Sequence, residues 1–182
     1  MASRVLELVD MAVEPAFAQI RNAAMPLQAE LTTAQDLLKT LDVLLEQFSA
    51  LQMLLQHGVQ PLVREIVRAS SSLASHHTAL VGGVRWMMHE PERTIVARAQ
   101  TSVALLSASL SLIAQGLHAN KQQSGIVASV RSAPTAVTFE FRSALEGTTL
   151  EEYRLRLDKL VPDDDVGVSC SEDSLVVSLA AS

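Results

Sequence analysis

Residues 113–142 read IAQGLHANKQQSGIVASVRSAPTAVTFEFR, and the period of the apolar pattern changes inside this stretch. Up to Leu117, apolar residues recur every three or four positions, as on one face of a helix. Beyond Gly125 they alternate: Val137, Phe139 and Phe141 are separated by Thr138 and Glu140, the pattern of a half-buried strand. Gly125 therefore reads as a boundary. It implies an α-helical region over 1–124, which would also oligomerise, and a small α/β module over 125–182.

Toward the N-terminus the helical pattern continues in four runs. Val5, Leu8, Val9, Ala12, Val13, Ala16, Phe17 and Ile20 give one apolar face over 3–24, with a kink expected at Pro15. Leu37, Leu38, Leu41, Leu44, Leu45, Phe48, Leu51, Leu54 and Leu55 form a broad stripe over 27–57, wider than a two-stranded seam. Val63, Ile66, Ser70, Leu73, His77, Leu80, Val84 and Met87 step by four and three over 60–88, and Gly82-Gly83 reads as a bend in that helix. The run 92–121 carries two adjacent seams. Val103, Leu106, Leu110, Ile113 and Leu117 make the larger one; Ser102, Leu105, Ser109, Leu112 and Gly116 make a small-residue one. A helix with two contact faces belongs at the centre of a bundle or between chains.

Toward the C-terminus the pattern reads strand (126–131), strand (135–142), helix (149–160), strand (166–170) and strand (175–180), with Thr148 or Thr149 as helix cap. The fold class expected is mainly α: a bundle of three or four long helices followed by a small β-β-α-β-β module.

Composition narrows the function. Hydrophobic residues make up 48% and charged ones 19%, so helices buried on more than one face, and an oligomer, are expected. Residues 58–124 hold six basic and three acidic side chains, too sparse and scattered for a nucleic-acid surface. The flanking parts are acidic, which favours packing of one segment on another or a basic partner. Cys170 is the only cysteine, which excludes an intrachain disulfide and points to an intracellular, cytoplasmic setting. Residues 101–119 are uncharged but interrupted by serines, so they read as a buried helix rather than a membrane span.

His76 and His77 are the only pair that invites chemistry. A histidine on a helical bundle with an appended α/β domain suits phosphotransfer. Yet His77 falls on the apolar seam between Leu73 and Leu80, where a structural His–Ser layer with Ser70 is the simpler reading. His57, His89 and His118 give no ligand spacing for a metal, and Asp163-Asp164-Asp165 lacks the alternation of a cation loop. No phosphate-binding glycine loop and no nucleophile motif is present, so no cofactor is expected. The function expected is that of a non-enzymatic assembly subunit. It would self-associate through the seam Val103, Leu106, Leu110, Ile113 and Leu117, and present the module, with Phe139 and Phe141, to a protein partner. The alternatives are histidine phosphotransfer through His76 or His77, and lipid-surface binding through the Ser/Ala/Leu face of 92–121.

Overall fold

Gly82 and Gly83 stop the helix that the apolar seam carries on to Met88. In the computed structural model, which describes residues 34–55, 60–161 and 165–182, both adopt positive φ, 94° and 84°. Only glycine enters that region without steric cost, and a right-handed helix cannot run through it. The chain turns there, and Val84–Met88 continues as a strand. A Cβ on Gly82 would lie 3.1 Å from the Gln123 carbonyl oxygen, so this turn packs against the loop before Gly125.

The elements follow in the order α1 (Ala34–Leu55), α2 (Val63–Ala79), β1 (Val84–Met88), α3 (Ala99–Ala119), β2 (Ile126–Ala133), β3 (Ala136–Arg142), α4 (Gly147–Asp158), β4 (Val166–Cys170) and β5 (Ser174–Ala180). The helix read over 3–24 lies outside the described residues, as do Asp163 and Asp164. The five strands form one mixed sheet in the order β1-β2-β3-β5-β4. β1 and β2 run parallel, Val84 opposite Ile126, and the other neighbours are antiparallel. A parallel pair needs a crossover, and α3 supplies it.

This corrects the expected mainly α bundle with a separate β-β-α-β-β module. The fold is a helix-then-sheet α/β architecture, with four helices and a five-stranded mixed sheet among the described residues. Gly125 marks a change of secondary structure, but the sheet crosses it: β1 stands before it and β2 after. Val103, Leu106 and Leu110 share one apolar core with Val137, Phe139 and Leu175.

The inner face of the sheet carries Ile126, Ala128, Val130, Val137, Phe139, Phe141, Leu175, Val177 and Leu179, all buried. α3 and α4 pack on the sheet, and α2 packs along α3, where the buried Ser70 hydroxyl donates to the Val103 carbonyl at 3.3 Å. α1 packs on α2 and α3 through Gln47, Ala50 and Leu54. Neighbours therefore surround α3: 17 of its 21 residues are buried. That explains its composition. α3 is long and apolar enough to cross a membrane, yet 83% of that stretch is buried inside the protein. The helix read over 149–160 begins earlier, at Gly147 after the cap residue Glu146, which places Thr148 and Thr149 in the first turn instead of at the cap.

Candidate functional site

α1 is half covered. Its C-terminal half turns Gln47, Ala50 and Leu54 inward, while Leu38, Leu41, Leu45, Phe48 and Leu55 remain exposed, Leu45 by 64% and Leu55 by 73%. These five are spaced by three, four, three and seven residues, a single stripe down one side of the helix. Among the described residues nothing covers it. Exposed apolar rows of this kind mark association surfaces.

Polar groups set how α1 meets α2. The Gln47 side chain is buried and its amide donates to the Ser72 carbonyl at 2.8 Å. Beside it, Arg68 reaches Glu46 at 3.2 Å across an open groove of about 210 Å³ lined by Ser49, Met53 and Glu65. Both partners of this ion pair are largely exposed, so it orients more than it stabilises.

His76 and His77 occupy the last turn of α2. His76 is exposed and His77 half-buried. Their rings meet edge to face with centroids 5.4 Å apart, and His77 Nε2 lies 3.4 Å from Gln115 Nε2 on α3. Burial first, and then the charge of His76, push the His77 imidazole below its ordinary value. The seam is buried through Leu73 and then turns outward, since Leu80 is 45% exposed. Cys170 is half-buried and donates its thiol to Glu151 at 2.8 Å. That bond, with burial, pushes the thiol up, away from a reactive thiolate. Among the described residues no three His, Cys, Asp or Glu side chains gather into a metal site.

The residues expected to mediate association need correction. Val103, Leu106, Leu110, Ile113 and Leu117 are fully buried, and so are Phe139 and Phe141. This chain's own α1, α2, α4 and sheet fill the seams on α3, and the two phenylalanines are core of the same fold. The α3 face required for lipid binding is buried with them. The surface that is open, the α1 stripe, was legible as a broad leucine row, but not which side of it faces outward.

No family model matches the chain, and no curated protein matches it. Solved structures do. The whole chain aligns with the histidine kinase ThkA, solved in complex with the response regulator protein TrrA, at 10% identity and a TM-score of 0.50. It spans 60% of that chain. A histidine kinase from Burkholderia phymatum is matched over 99% of this chain and 96% of its own, at 9% identity and a TM-score of 0.48. A bacterial phosphotransferase is matched over 100% and 97%, at 13% identity and a TM-score of 0.45. The likeness to ThkA is one of fold, and it agrees with the correction above: an α/β architecture in place of a long-helix bundle. The expectation of a non-enzyme does not stand beside this likeness, since ThkA, whose fold the chain shares, is named as a histidine kinase. In ThkA, a chain of this fold is bound to a second protein.

Proposed function

We propose that this chain acts in a protein-based signalling relay, self-associating through α1 and presenting its α/β sandwich to a protein partner. The observation that carries this reading is the stripe Leu38, Leu41, Leu45, Phe48 and Leu55, exposed in the described residues and spaced for a helix–helix seam. The ThkA–TrrA structure supports the partner half of the reading, since ThkA, part of which this chain resembles in fold, is in complex with a response regulator protein. A single cysteine, which can form no intrachain disulfide, fits a reducing, cytoplasmic setting.

Light scattering tests it. The wild-type chain is expected to have the mass of an oligomer, and Leu45→Glu to be monomeric with unchanged helical content. A wild-type monomer at every concentration overturns the self-association.

A second reading, histidine phosphotransfer, rests on His76, whose imidazole is exposed on the final turn of α2. The negative end of a helix opposes a phosphoryl group there, which weighs against it. Incubation with a small-molecule phosphodonor decides. Acid-labile phosphate that disappears in His76→Gln supports this reading, and its absence removes it.

A further inference from the structure

β1 is an edge strand, and its two sides differ. The Ile126 amide donates to the Gly83 carbonyl at 3.0 Å, and the parallel register continues through Arg85 opposite Val127 and Met87 opposite Ser129. In a parallel ladder alternate residues turn both amide and carbonyl to the same neighbour. Gly83, Arg85 and Met87 therefore face β2, and the backbone groups of Val84, Trp86 and Met88 face the open edge. Among the described residues no strand or isolated bridge pairs with that edge.

Edge strands are commonly blunted by charge, proline or a bulge. The opposite edge, β4, follows Pro162 and three aspartates in the sequence, and α4 packs against it. β1 has neither proline nor bulge, and its one charge is Arg85. It reads Val-Arg-Trp-Met-Met with continuous register. Met87 and Met88 are 47% and 42% exposed. Trp86 is half-buried and held still, its indole donating to the Ser71 hydroxyl at 2.9 Å and meeting Phe141 edge to face. Arg85 is exposed on the open face of the sheet, and among the described residues no carboxylate pairs with it.

We propose that β1 is a docking edge for an extended segment of a partner protein that alternates apolar residues with a carboxylate. The backbone of that segment would bond to Val84, Trp86 and Met88. Its apolar side chains would lie beside Trp86 and Met88 on the inner side, and its carboxylate would face Arg85 on the outer side. Strand addition takes affinity from main-chain bonds and specificity from alternate side chains, and β1 offers both. Methionine adapts to varied apolar partners. The proposal does not depend on α1, which lies against α2 and α3.

Panning a random heptapeptide library against the full chain tests it. The selected peptides are expected to alternate apolar residues with Asp or Glu. Their affinity should fall roughly five- to tenfold in Met88→Pro, which removes an edge-facing amide without touching the β2 ladder, and by a similar factor in Arg85→Glu. Leu45→Glu should leave it unchanged. Hydrogen exchange should show the Trp86 and Met88 amides protected on adding peptide. A library that yields no such consensus, or peptides that bind both β1 variants as tightly as wild type, overturns the proposal. Protection of these amides by protein concentration alone would make a second copy the occupant, and that also overturns it.

Discussion

The hydroxyl of Tyr153 on α4 stands where a side chain at position 116 of α3 would begin: a Cβ on Gly116 would meet it at 2.5 Å, and Leu145 Cδ1 at 3.1 Å. Gly116 is not among the positive-φ residues, so it is glycine for space and not for backbone conformation. A glycine inside a helix costs about 1 kcal/mol relative to alanine. Here that cost lets α4 lie directly on α3.

Gly116→Ala should therefore destabilise the protein despite its better helix propensity, by about 1–2 kcal/mol from overpacking. Tyr153→Phe in the same chain should recover part of the loss, because it removes the oxygen that the new methyl meets. Urea midpoints at constant slope are the measurement. A near-neutral Gly116→Ala refutes the close approach.

Leu106→Ala should cost about 2–5 kcal/mol, as expected for a leucine truncated in a filled core. Leu106 is fully buried on the helix that α1, α2, α4 and the sheet enclose. The loss should be independent of protein concentration, since the cavity lies within one chain. A concentration-dependent loss would return this seam to an interface between copies.

Removal of residues 132–182 should abolish cooperative folding. The deletion takes away the end of β2 and all of β3, α4, β4 and β5, and leaves the inner face of α3 without Phe139, Phe141, Leu175 and Val177. Circular dichroism during heating is expected to show no sharp transition. A cooperative transition in the fragment would mean that the helices form a core of their own.

Stability should depend on pH through His77. Burial and His76 hold its folded pKa below the ordinary 6.5. The unfolded chain then binds the proton more readily, so the contribution to stability is complete above pH 6.5 and declines as pH falls through the lower, folded value. Denaturation curves between neutral and mildly acidic pH should fall more steeply for wild type than for His77→Gln. Identical slopes would contradict the burial.

Glu151 should titrate far below an ordinary carboxyl. The bidentate Arg154 guanidinium first, and then the Cys170 thiol, pull it down to about 2. A depressed folded pKa means that whatever these contacts contribute is present above the ordinary carboxyl value and lost as pH falls toward about 2. Carboxyl chemical shifts followed by NMR should place the Glu151 midpoint there, and Arg154→Gln should raise it. A midpoint near 4.3 in wild type would exclude the paired geometry.

Much of the second half of the chain was legible because its strands are half-buried. Val137, Phe139 and Phe141 alternate with Thr138, Glu140 and Arg142 because one face meets the core and the other meets solvent, and side chains in a strand reverse at every residue. The same alternation located β4 and β5. In the helical half the pattern was equally plain for α3, whose two seams correctly implied a central helix.

Partnership was not legible. A double seam on α3 records that two sides are buried; it carries no record of whether the covering elements belong to this chain or another. Val84 and Met87 continue the spacing of α2, so residues 84–88 fit a helical seam until Gly82 and Gly83 take positive φ. The pairing of β1 with β2 joins segments some forty positions apart, and no local period encodes a contact of that range. The leucine row of α1 was visible, while the side left open was set by where α2 and α3 lie. Sequence by itself determined the local periods, through the geometry of helix and strand. Tertiary structure decided which apolar faces are satisfied within the chain, because burial belongs to the whole packing and not to any one segment.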